Sequence, residues 1–173
     1  MSIELETCPD CQARLPKLDG PTHRYLGASP ACWALYTALH NGGEPPLAPL
    51  PSNVLLVDAY AAQHPGVPSP QAIQSVAVHL LTLYGILERG VGLENALWLR
   101  RRALRQELGP KHSHFIWLTP PDFSGSLTVA DIVAGPTPQI RAERVQQYSH
   151  MVWSRWSQLH LATLSAWYDR YIL

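Results

Sequence analysis

The chain has 173 residues and a formal net charge of +0, thirteen Lys and Arg balancing thirteen Asp and Glu, with a pI near 7.1. A field so balanced neither steers a polyanion nor holds a chain on an acidic membrane, so no nucleic acid partner is expected. The start, Met1 to Thr7, has no basic or apolar leader region and no later run approaches the roughly 18 apolar residues of a span, so the expectation is a soluble, cytoplasmic protein with no membrane association.

In chain order, a weak Ile3–Leu5 alternation comes first, then Cys8-Pro-Asp-Cys11, His23 and Cys32, which include all three cysteines. An odd count, with two thiols separated by two residues, favours reduced thiols or thiolate ligands over a secreted disulfide framework. Ser29-Pro30 is a cap followed by a first-turn proline and predicts a helix to about His40, stopped by Asn41-Gly42-Gly43. A shorter helix is expected from about Asn53 to Gln63, ending at His64-Pro65-Gly66. Ser69-Pro70 repeats the start signal. Ile73, Val76, Ala77, Leu80, Leu83, Tyr84 and Leu87 then recur every three to four residues, giving a core-facing helix to near Arg89-Gly90.

A polar, arginine-rich helix is predicted over Leu93–Leu108, before the Gly109-Pro110 stop. The apolar run His114–Leu118 reads either as a short strand or as an extended segment packed on helices. Thr128-Val-Ala-Asp131 has capping-box spacing and starts a two-turn helix ending at Gly135. Thr137-Pro138 opens the longest element, reaching nearly to Leu173 with a stripe of Val145, Tyr148, Val152, Trp156, Leu159, Thr163 and Ala166. The sum is a mainly α, single-domain helical bundle over 1–173. Residues 1–28 form an N-terminal Cys-containing metal-binding segment, 29–173 the bundle, and the C-terminal helix is long. A chain of this length buries about two-thirds of its unfolded surface, so it needs no metal merely to obtain a core.

The ordered series Cys8-Pro-Asp-Cys11, Gly20-Pro-Thr-His-Arg-Tyr25, Ser29-Pro-Ala-Cys-Trp33, Asp58-Ala-Tyr-Ala-Ala-Gln-His-Pro-Gly66 and Val78-His-Leu80, closing with Trp153 and Trp156, resembles a bacterial conserved-hypothetical family, a domain of unknown function. The resemblance covers nearly the whole chain and implies no activity. Members of that family typically carry glycine after the second cysteine, where a metal-knuckle turn favours positive φ; this chain has Gln12.

The chemistry points to zinc. A C-x2-C turn supplies two of four tetrahedral ligands at little loop-closure cost. Cys32, in the first turn of a helix, is the expected third ligand because free amides and the helix dipole favour its thiolate. His23, in the intervening loop, is the simplest fourth. His64 and His79 are the alternative ligands, able to complete the Cys8-Cys11 pair in place of His23 and Cys32. The leading expectation is a structural metal in a binding or interaction module, its small-molecule ligand unspecified. The rival is a metal-dependent hydrolase or transferase in which His64, His79 and possibly His23 leave a position for water, with Asp58 as orienter or base. A homo-oligomer through the tryptophan-bearing C-terminal helix is a third expectation. His112 with His114 reads as solvated loop, and Arg100-Arg101-Arg102 with Arg105 as a solvated helix face. No phosphate loop, dinucleotide fingerprint or nucleophile elbow is present in the sequence.

Overall fold

Three of the helices begin with the same device. The computed structural model describes residues 4–44, 46, 53–104 and 115–173. Within them, α1 (Pro30–His40), α3 (Pro70–Leu87) and α6 (Pro138–Tyr171) each open on proline, and each is capped by the hydroxyl just before it. Ser29 Oγ accepts from Cys32 N at 3.3 Å, Ser69 Oγ from Ala72 N at 3.1 Å, and Thr137 Oγ1 from Ile140 N at 3.2 Å. Each cap occupies one orphan amide, while proline has none to lose. In α5 (Val129–Val133) the Asp131 carboxylate accepts from both the amide and the hydroxyl of Thr128, at 2.7 and 3.0 Å.

The remaining elements are shorter than their sequence signals. α2 spans Leu56–Gln63, three residues short of the expected start, because Asn53–Leu55 is a turn closed by Leu56 N donating to Asn53 O at 3.0 Å. The arginine-rich segment divides into a 3₁₀ turn, Leu93–Asn95, and α4, Ala96–Leu104. The Gly109-Pro110 stop, Arg105, His112 and His114 lie outside the described residues. Residues 115–118 belong to no helix or strand among the described residues; Phe115 packs on Trp167 and Tyr171 of α6, with ring centroids 4.9 and 5.3 Å apart. Two short strands went unforeseen: β1 (Leu5–Thr7) and β2 (Arg14–Pro16) pair antiparallel, with Leu5 opposite Pro16 and Thr7 opposite Arg14.

The architecture is mainly α. α3 lies at its centre, packed against α2, α4 and α6, while α1 packs on α2, α5 and β2. Val76, Ala77, Val78, Leu80, Leu81, Leu83 and Tyr84 are all buried, so α3 is enclosed on more sides than a one-face stripe requires. At Gly85 a side chain would meet Leu99 at 2.9 Å and Tyr168 at 3.0 Å, so glycine permits the close approach of α4 and α6 to α3.

In α6 the expected stripe holds through Val145, Tyr148, Val152 and Trp156, then shifts to Leu164 and Tyr168, leaving Leu159 58% exposed. The expected spacing averages 3.5 residues, whereas a straight helix repeats every 3.6, so the core-facing line drifts off it. Trp153 and Trp156 belong to the chain's own core. Trp156 Nε1 donates to Ala62 O at 2.9 Å, Tyr148 Oη to Gln63 Oε1 at 2.8 Å, and Gln63 Nε2 to Leu127 O at 2.8 Å. These bonds fix the C-terminal end of α2 and therefore the position of His64. No helix among the described residues is long and apolar enough to cross a membrane.

Candidate metal centre

The β1–β2 hairpin ends in a tight turn holding Cys8 and Cys11. Cys8 N donates to Ala13 O at 2.9 Å and Gln12 N to Cys8 O at 3.1 Å, so the chain folds back immediately after the second thiol. Gln12 sits at φ 63°, the sole positive-φ residue other than glycine among the described residues. The turn therefore keeps the left-handed geometry that glycine usually supplies. Gln12 Nε2 donates to Pro9 O at 2.6 Å, a local bond that holds the side chain there.

Two other segments meet this turn. Ser29 N, just before α1, donates to Cys8 Sγ at 3.4 Å, while Cys32 projects from the first turn of α1. His64, at the end of α2, precedes Pro65 and has left the helix, at φ −121° and ψ 61°, as a residue before proline is driven to do. Its Nδ1 donates to Tyr60 O at 2.8 Å, the carbonyl four residues back, which assigns the proton to Nδ1 and leaves Nε2 as a lone-pair donor. That Nε2 lies 3.3 Å from Cys32 Sγ.

The result is one buried cluster. Ligand atoms of Cys8, Cys11, Cys32 and His64 all lie within 4.8 Å of one another. Cys11 Sγ and Cys32 Sγ are 3.9 Å apart, too far for a disulfide, and all three cysteines are free. Bonds of about 2.3 Å to sulfur and about 2.0 Å to nitrogen place neighbouring ligands of a tetrahedral zinc about 3.8 Å apart for two sulfurs and about 3.6 Å for sulfur and nitrogen. The Cys11–Cys32 edge, at 3.9 Å, and the Cys32–His64 edge, at 3.3 Å, are close to that size. Each of the four residues is at most 1% exposed, so the set is one of protein side chains closed from solvent.

The surrounding contacts hold the three segments together. Asp10, between the two cysteines, accepts from Gly66 N at 2.7 Å, and its own amide donates to Gly27 O at 3.2 Å. Gly66 lies at φ +71°, and a side chain there would come within 2.4 Å of the Tyr25 carbonyl, so the approach requires glycine. Tyr60 Oη donates to Cys32 Sγ at 3.5 Å.

Proton affinities inside the cluster are strongly divided. Hydrogen bonds from Cys11 and Cys32 hold the Cys8 thiol far below its usual range, and the same network, through Cys11 and Cys8, pushes Cys32 up. Burial disfavours a charged His64, yet hydrogen bonds to Cys11 and Cys8 outweigh it and push the ring up to about 9. Burial, and next the Cys32 charge, raises Tyr60, so its hydroxyl keeps its proton and donates. A cation entering the cluster would therefore take the place of the protons held on Cys32 and on His64 Nε2.

At the fourth corner it is His64, one of the two alternative ligands the sequence offers, and not His23, that lies with the three sulfurs. His23 packs instead among aromatic rings, 4.5 Å from Tyr25 and 5.0 Å from Trp33 between centroids. A loop residue close in sequence lost to one delivered by α2, which α6 pins in place. His79 is not in the cluster either: its Nδ1 meets Asp58 Oδ1 at 2.8 Å, and Arg100 Nε donates to the same oxygen at 2.8 Å. The trio Asp58, His64 and His79 expected of a metalloenzyme is thus divided, with His64 beside the thiols and Asp58 joining His79 to Arg100. Arg100 was read as solvated surface; the signal for its role was a buried acid one helix away, which sequence spacing does not reveal.

Residues 6–157 match the family model of DUF5946, a family of unknown function, and the chain belongs to that family. Neither the curated proteins nor the solved structures yield a match.

Proposed function

With family membership assigning no activity, we propose that this chain is a zinc protein in which Cys8, Cys11, Cys32 and His64 hold a structural ion and the helical body serves as a binding or interaction module. The observation that carries the reading is the closed, buried set of three thiols and one imidazole with its tautomer fixed by Tyr60. Thiolate and imidazole at tetrahedral spacing suit zinc better than a hard cation, which prefers oxygen. A site whose four positions are all protein side chains leaves no place for substrate or activated water. The ion would supply cross-linking, joining the hairpin, the start of α1 and the α2–α3 turn.

Metal analysis of protein purified under reducing conditions tests this directly. Near one zinc per chain, lost together with thermal stability in Cys8→Ser, is expected. Protein that never holds zinc, or that melts unchanged after chelation, overturns the reading.

A further inference from the structure

A second site lies on the outer side of Tyr60. A cleft of about 130 Å³ is lined by His23, Tyr25, Trp33, Tyr36, Tyr60 and His79. Tyr60 has His64 on one side at 4.1 Å and Tyr36 stacked on it at 3.9 Å, so the cleft shares a wall with the metal centre but none of its ligands. The volume is close to the roughly 150 Å³ that accommodates a single benzene ring in an apolar cavity.

Two nitrogens give the cleft polarity. His23 Nδ1 is buried with no hydrogen-bond partner, a costly state for a group that water would otherwise satisfy. His79 has Nδ1 engaged by Asp58, itself fully buried and gripped by Arg100. A carboxylate accepts, so a proton sits on His79 Nδ1, and in that tautomer Nε2 offers a lone pair. No hydrogen bond among the described residues occupies Nε2. Because Arg100 balances Asp58, the pair gives the cleft no net charge and no preference for an ion.

We propose that this cleft binds a neutral, planar, single-ring molecule carrying a hydroxyl or ring N–H, which donates to His79 Nε2 while the ring packs against Tyr25, Trp33 and the edge of Tyr60. The molecule is recognised by three features together: flatness, a hydrogen donor, and lack of charge. The site stands on its own geometry and does not depend on which metal, if any, occupies the cysteine cluster.

Phenol is the probe. Added to the full chain as purified, it should produce a saturable shift of the His79 side-chain nitrogens in ¹⁵N spectra and transferred magnetisation to Tyr25 and Trp33. Anisole has the same ring without the donor and should bind about tenfold or more weakly, the equivalent of one lost hydrogen bond. Ser75, which also lines the cleft, provides a blocking variant: Ser75→Phe should abolish the phenol shift at unchanged metal content. Should that variant not fold, the phenol and anisole comparison on the native chain decides alone. Absence of a saturable His79 shift, or equal affinity for anisole, overturns the proposal.

Discussion

Tyr60 O accepts from His64 Nδ1 at 2.8 Å, and this one bond turns the imidazole so that Nε2 faces Cys32 Sγ at 3.3 Å. Tyr60 lies in α2 and His64 is that helix's C-cap, so the imidazole is oriented by its own helix. His64→Ala and Cys11→Ser should each lose the metal and cost about 3 kcal/mol or more, because ligation free energy is also folding free energy. His23→Ala should retain stoichiometric metal, since that ring lies against Tyr25 and Trp33. Metal content measured beside urea unfolding separates the three variants. Metal retained in His64→Ala would refute the assignment.

Gln12 bears a backbone cost that glycine would avoid. Its φ of 63° is left-handed, a region costing an L-residue roughly 1–2 kcal/mol. The exposed bond from its side chain to Pro9 O recovers part of that. Gln12→Gly should therefore raise stability by about 0.5–1 kcal/mol with the metal unchanged, read as a higher urea midpoint at constant slope. A loss of stability would show that the Pro9 contact outweighs the strain.

The sequence was most legible where one residue determines a local bond. Ser29-Pro30, Ser69-Pro70 and Thr137-Pro138 each announced a helix start that the structure repeats to the residue, since cap and proline act within a single turn. The three cysteines were equally readable. The fourth position stayed open among His23, His64 and His79, because His64 reaches Cys32 across 32 residues only after α2 docks on α6 through Trp156 and Tyr148. The strands Leu5–Thr7 and Arg14–Pro16 were too short for alternation to register, and Arg100 shows its role only once α4 packs beside α3 near Asp58. Local chemistry is written in the chain, whereas convergence of distant segments is a product of packing.

Burial holds the His23 imidazole below its ordinary value of 6.5. As pH falls the unfolded chain takes up this proton first, so the folded state's advantage is complete above about 6.5 and declines toward the lowered folded value. His23→Asn removes the titration. The stability of the native chain relative to this variant should therefore shrink between about pH 7.5 and 5.5, measured by urea unfolding at each pH. A constant difference across that range would place the His23 ring in solvent.

Asp58 is fully buried and meets two partners, Arg100 and His79. Removing only the acid leaves Arg100, whose side chain is 18% exposed, without its counter-charge; Asp58→Ala should cost about 3–5 kcal/mol. Removing both charges is a different experiment, because the penalty of the isolated cation disappears with it. The double variant Asp58→Ala with Arg100→Met should therefore be less destabilised than Asp58→Ala alone, and the coupling in a double-mutant cycle should exceed about 1 kcal/mol. Arg100 also donates to Val54 O at 3.0 Å, so Arg100→Met alone should loosen the turn before α2. If the two single changes simply add, Asp58 and Arg100 are not energetically joined, and His79 would then lack the fixed acid that sets its tautomer in the cleft.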